Sequence, residues 1–80
     1  MKTYPVLKSV TPIDGYKLLL IYGEHERRIY NFEPNLKHKY YSSLTDVKLF
    51  KKVSVIDGEI FWATGQDFCP HTLYELSVSA

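Results

Sequence analysis

Alternate positions along Tyr16–Tyr22, namely Tyr16, Leu18, Leu20 and Tyr22, fall on one face of an extended chain, and Arg28, Tyr30 and Phe32 share a face in the same way along Arg27–Phe32. The polar stretch Gly23-Glu24-His25-Glu26 between them reads as a turn, so the two runs predict a β-hairpin. Upstream, Val6–Val10 is a short β-prone run fenced by Pro5 and Pro12. That is the pattern of an edge or terminal strand, because proline cannot donate to a ladder. Asp14-Gly15 supplies the turn that follows it.

The period then changes. Leu36, Tyr40 and Leu44 recur every four residues behind Pro34, which predicts a helix over Pro34–Leu44. Thr45 or Asp46 is placed to cap a second, shorter helix that carries Val47 and Phe50 inward and Lys48, Lys51 and Lys52 outward. Val53–Ile56 and Ile60–Trp62, joined by Asp57-Gly58-Glu59, predict a second hairpin, and Pro70 opens a short helix to about Ser77 with Leu73 and Leu76 one turn apart. The expected fold is α+β: a small antiparallel sheet of four or five strands built from two hairpins, with helices between and after them covering one face. The expected core comprises Leu18, Leu20, Tyr30, Leu44, Phe50, Val53, Val55 and Leu73. No linker, repeat or charge block divides residues 1–80, which are read as a single domain.

With 45% apolar and 15% aromatic residues the chain has the composition of a packed globule, not of a disordered segment. A formal charge of +1 supplies no global field for nucleic acid or anionic membrane. Leu18–Tyr22, the longest apolar run, is far short of the roughly 20 residues that cross a bilayer. Met1-Lys2-Thr3-Tyr4-Pro5 lacks an apolar signal core, and Cys69, the single cysteine, has no disulfide partner in the chain, so the expected compartment is the cytoplasm.

The four glycines are scattered, which leaves no P-loop or dinucleotide fingerprint, and there is no nucleophile elbow, HExxH pair or calcium loop. Cys69 and His71 are close enough in sequence for a thiolate–imidazole pair or two metal ligands, yet placement by backbone geometry beside Pro70 explains them as well. His25 and His38 read as surface residues. Lys37, Lys39, Lys48, Lys51, Lys52, Arg27 and Arg28 are interleaved with Glu33 and Asp46 and read as solvated positions, not a phosphate-binding patch. No catalytic residue, cofactor or metal is expected. Tyr16, Tyr22, Tyr30, Phe32, Phe50, Phe61, Trp62, Phe68 and Tyr74 exceed what so small a core encloses easily, so part of this aromatic surface is expected at an interface.

The segment Trp62-Ala63-Thr64-Gly65-Gln66-Asp67-Phe68-Cys69-Pro70-His71-Thr72-Leu73-Tyr74 resembles the closing signature of the bacterial family known as domain of unknown function 2442: Trp, a short Gly-containing turn, Asp, an apolar residue, Pro, then Leu-Tyr. Pro5-Val6-Leu7, Tyr16-Lys17-Leu18, Tyr22-Gly23, Leu44, Asp46, Phe50 and Val53–Asp57 extend the resemblance over nearly the whole chain. The chain departs from the family pattern at Ala63, where Pro is usual, and at Asn31, where Asp is usual. The resemblance implies a small α+β protein, often encoded beside another small protein and sometimes fused to a helix-turn-helix segment. It thereby implies an antitoxin-like or regulatory role and brings no catalytic residues. Since Ala80 follows soon after Leu73-Tyr74, no appended helix-turn-helix is expected, and any DNA contact would come through a partner.

Each signature residue has a sufficient folding role: Gly65 at positive φ, Asp67 accepting from the free N–H groups of the coming helix, and Pro70 starting that helix. The functional alternative is that Trp62, Gln66, Asp67 and Tyr74 frame a surface where a partner docks. The expected function is therefore a non-catalytic protein-binding module with a protein partner, encoded next to it, and with no direct nucleic-acid or membrane contact. The alternatives are a homo-oligomer paired through the first strand and a small enzyme using Cys69, Asp67 or a histidine.

Overall fold

The computed structural model describes residues 4–80; Met1 to Thr3, part of the stretch read above for a signal core, lie outside the described residues. In chain order the strands are β1 (Leu7–Ile13), β2 (Lys17–Tyr22), β3 (Glu26–Asn31), β4 (Val53–Ile56), β5 (Glu59–Trp62), β6 (Asp67–Phe68) and β7 (Val78–Ser79). The helices are α1 (Val47–Phe50) and α2 (Pro70–Leu76), and two 3-10 segments, Glu33–Lys37 and Lys39–Thr45, connect β3 to α1. The protein is α+β, but its strands form two antiparallel sheets instead of one: a four-stranded sheet ordered β1-β2-β3-β7 and a three-stranded sheet ordered β4-β5-β6. β1 lies beside β4 without a ladder between them. Two features unsuit β1 as a second ladder partner: Pro12, which has no N–H, and a bulge.

The bulge decides which side chains of β1 point inward. Leu7 pairs with Tyr22 and Ser9 with Ile21, so Lys8 is the extra residue. Without it, strict alternation would send Leu7 and Val10 to opposite faces; with it, buried Leu7 and half-buried Val10 lie on the same side. The turn into β2 holds Tyr16 at φ 57, a left-handed conformation unusual for a bulky side chain. Its ring meets Phe50 edge-on at 5.4 Å and its hydroxyl donates to Thr45 O at 2.5 Å, contacts that hold the conformation in place. In the second hairpin, Asp57 at φ 53 and Gly58 at φ 80 form the two-residue turn with both φ positive that matches strand twist, as Asp-Gly predicts.

The predicted helix over Pro34–Leu44 is replaced by the two 3-10 segments, broken at His38, which is extended (ψ 136). The amides of Asn35, His38, Tyr41 and Asp46 each donate to the carbonyl three residues back. Ser42 and Thr45 hydroxyls also donate to carbonyls three back, offering the backbone partners that compete with an α-helix. The tighter period brings Tyr41 and Leu44 onto the inner face and leaves Tyr40 exposed, where a period of four would have buried Tyr40.

Asp46 caps α1, accepting from the Lys48 amide at 2.9 Å, and Phe50 is buried while Lys48, Lys51 and Lys52 are exposed. Val47, expected inward, is 49% exposed: a single helical turn directs only Phe50 and part of Leu49 at the core. At α2 the expected Asp67 cap is absent. Asp67 belongs to β6, paired with Phe61, and the residue preceding the helix is Cys69, with no side-chain cap bond. Leu73 is buried and Leu76 is not.

Leu18, Leu20, Tyr30, Leu44, Phe50 and Leu73 lie in the core as expected, while Val53 and Val55 pack half-buried against it. Leu7, Tyr22, Phe32, Ile60 and Trp62 complete the core. Phe32 is its hub, with ring centroids of Tyr41, Phe50, Trp62 and Phe68 at 5.1, 5.9, 4.9 and 5.9 Å, so one side chain joins the end of β3 to the 3-10 segment, α1 and the second sheet.

Candidate functional site

The four residues expected to frame a docking surface do not meet on one. Trp62 is 3% exposed, and its indole N–H donates to the Phe50 carbonyl. Gln66 is 9% exposed; its amide donates to Tyr40 O at 3.1 Å and Ser43 Oγ at 2.8 Å and accepts from the Thr64 hydroxyl. It clamps the β5–β6 turn to the second 3-10 segment. That turn closes through Trp62 N donating to Gln66 O, with Gly65 at φ 100, as its place in the signature predicts. Asp67 is exposed and accepts from the Tyr40 hydroxyl at 3.2 Å. Tyr74 sits elsewhere, edge-on to Tyr22 at 4.9 Å and under the Arg28 guanidinium at 4.3 Å. Phe50 and Phe32, not Tyr74, are the neighbours of Trp62.

Of the two departures from the family pattern, the one at Ala63 has a local account and the one at Asn31 has none, since Asp would accept the same bond that Asn31 does. The Ala63 amide donates to Lys52 O at 3.0 Å, a bond proline could not make. Asn31 Oδ1 accepts from the Glu33 amide at 3.2 Å.

Tyr74 belongs to a polar cluster that ties the chain's last segment to β3. Arg28 donates through Nε to Ser77 Oγ at 2.6 Å, through one terminal nitrogen to Ser77 O at 2.7 Å, and through the other to Glu26 at 3.1 Å. The Tyr74 hydroxyl donates to the same Glu26 oxygen at 2.8 Å, which raises the Tyr74 pKa, with desolvation adding to the shift. Beneath it the Tyr22 hydroxyl is buried without a hydrogen-bond partner among the described residues, and burial pushes its pKa up to about 12.

The candidates for chemistry are dispersed. Cys69 is exposed; the amide and hydroxyl of Thr72, then the His71 amide, lower its thiol pKa. His71 stacks on Tyr4 with centroids 4.5 Å apart. His25 and His38 are exposed. Arg27 and Arg28 point to opposite faces of β3, one exposed and one with 15% of its side chain accessible, so they do not build a common basic patch. Among the described residues no three His, Cys, Asp or Glu side chains are grouped to hold a metal, and no helix is long and apolar enough to cross a membrane.

The feature that alternation alone did not reveal is the outer face of the four-stranded sheet. Thr11 pairs with Leu19, Leu19 with Ile29, and Ile29 with Val78, so these four side chains form one row across all four strands on the side away from Leu18, Leu20 and Tyr30. One flanking row is Ile13, Lys17 and Asn31; the other is Ser9, Ile21 and Arg27. Leu76 and Val78, 61% and 63% exposed, wall a depression of about 750 Å³ that is floored by Ile29 and reaches Ile13, Asp14 and Lys17. The sequence carried a signal for it: Leu18-Leu19-Leu20-Ile21-Tyr22 is apolar at every position, the pattern of a strand that requires cover on both faces.

Residues 7–79 match the family described as Protein of unknown function (DUF2442). The chain belongs to this family. No curated protein and no solved structure matches the chain. In this DUF2442 protein Trp62, Gly65 and Gln66 of the closing segment have folding roles, and the outer sheet face is the candidate functional surface.

Proposed function

We propose that the protein is a non-catalytic protein-binding module, the antitoxin-like or regulatory half of a small two-protein system, whose partner seats on the outer face of the four-stranded sheet. The observation that supports this reading is the apolar row Leu19–Ile29–Val78 with Leu76 beside it: a sheet face of this kind, in water, is the usual complement of another apolar surface. A different protein is favoured over a second copy. Lys17 and Arg27 flank the row, no outward position on the strands of this sheet carries a carboxylate, and the one at its border is Asp14, so stacking two copies face to face brings mainly like charges together.

Copurification with the neighbour-encoded protein tests the reading. The wild-type chain retains that protein, and Leu76→Asp and Val78→Asp each release it without lowering the melting temperature, because both side chains are already exposed. Retention unaffected by both substitutions overturns the proposal. A chain that sediments alone as a dimer, and as a monomer after either substitution, replaces it with the homo-oligomer.

A further inference from the structure

We infer that the partner element taken by this face is an amphipathic α-helix that lies across the strands and carries carboxylates on both flanks of its apolar stripe; the inference rests on the outer face being the docking surface. The spacing of the face points to a helix. Neighbouring strands stand about 4.8 Å apart, so the row Thr11–Leu19–Ile29–Val78 spans roughly 14 Å, with one side chain per strand. A helix offers one apolar residue per turn at a pitch of about 5.4 Å, so three turns laid along the row bring successive i, i+3/i+4 and i+7 residues over successive strands. An extended segment fits the row poorly, since its same-side residues recur only about every 6.7 Å.

The charges fix the flanks. Lys17 and Arg27 lie in the rows on opposite sides of the apolar one, each about 6.7 Å from it along its strand. A helix of about 10 Å diameter centred on the row sets its own flanks above these two positions. Neither cation is ion-paired with a described residue. Leu76 and Val78 wall one end of the depression, and its other end reaches Ile13 at the end of β1. Asp14, at the border of the depression beside Lys17, is the one carboxylate there, and it disfavours a third acidic residue at that corner.

Three labelled peptides of about 18 residues test this: a helical peptide with an Ile/Leu stripe flanked by Glu, the same stripe flanked by Lys, and the Glu peptide with a central proline. Binding is followed by peptide anisotropy and by NMR shifts of Leu19, Ile29 and Val78. The Glu-flanked helix should bind on the order of tenfold or more tighter than the Lys-flanked one. The preference should fall with salt and invert in the Lys17→Glu/Arg27→Glu double variant, whose exposed positions leave the circular-dichroism melt unchanged. Equal binding of the Glu and Lys peptides overturns the acidic flanks, and equal binding of the proline peptide overturns the helix; either leaves the docking face standing. Absence of any shift at Leu19, Ile29 and Val78 with all three peptides overturns the face as well.

Discussion

The indole N–H of Trp62 donates to the carbonyl oxygen of Phe50 at 3.0 Å inside the core, across the junction between α1 and the second sheet. Two contributions follow from this geometry, the packed area of the ring and a satisfied buried carbonyl, and two substitutions separate them. Trp62→Ala should cost roughly 3 to 5 kcal/mol, a large share of what a domain of this size has to lose. Trp62→Phe keeps most of the apolar contact with Phe32 and strands the Phe50 carbonyl, at a cost of about 1 to 3 kcal/mol. Urea unfolding of the pair measures both; a Trp62→Ala chain as stable as wild type would remove Trp62 from the core.

Gln66 is a donor at both of its amide contacts, to Tyr40 O and Ser43 Oγ. Gln66→Glu preserves shape and replaces those donors with an acceptor facing a carbonyl. It should therefore destabilise more than the ordinary loss of about 1 kcal/mol per hydrogen bond, and more at pH 8 than at pH 4, where the new carboxyl is protonated. Thermal melts at the two pH values read the difference.

Arg28 engages Ser77 and Glu26 through three nitrogens while its plane covers Tyr74. Lysine keeps the charge but cannot reproduce the fork or the stacking, so Arg28→Lys should lose about 1 to 3 kcal/mol. If Arg28→Lys melts like wild type, the cluster contributes nothing beyond its charge.

Tyr22 has a folded-state pKa of about 12, set mainly by burial, against about 10 for an unfolded tyrosine. Between those values the unfolded chain releases a proton that the folded chain retains. The contribution is whole below pH 10 and is lost as pH rises through 12. Tyr30 and Tyr41 are raised by burial in the same direction and deepen the alkaline fall. Tyr22→Phe also removes the unpartnered hydroxyl, so it should be neutral or stabilising at pH 7 and flatten the alkaline decline. Absorbance at tyrosinate wavelengths beside a pH series of melts checks this.

Where local chemistry and tertiary environment agree, the sequence reads clearly: Asp57-Gly58 forms its turn, and Leu18, Leu20 and Tyr30 alternate into the core. The segment Pro34–Leu44 misleads because its period of four is real in the letters, while the hydroxyls of Ser42 and Thr45 and the extended His38 favour a period of three. β6 and β7 are two residues each, too short for any period to register, and without them neither the third strand of the second sheet nor the fourth of the first can be counted. Trp62 and Gln66 read equally well as anchors or as interior residues, because an amphipathic ring and an amide serve both ends. Only the positions of Phe50, Tyr40 and Ser43 assign them to the interior.

Most strand pairs here join neighbours in the chain; the pairing of β3 with β7 joins residues about fifty apart, held by Arg28 on Ser77 and by the Ala80 amide on Arg27 O at 3.0 Å. Two sequence-local meanders can thus assemble early, with loop closure by β7 as the late step. Opening in the native state is expected to reverse this order, with β7 detaching while the meanders stay intact, so amide hydrogen exchange at Val78 and Ala80 should outpace that at Leu18 and Leu20. Because Val78 supplies one end of the outer row, each such opening removes a wall of the groove, and the residence time of whatever sits there is coupled to how often the last strand lets go.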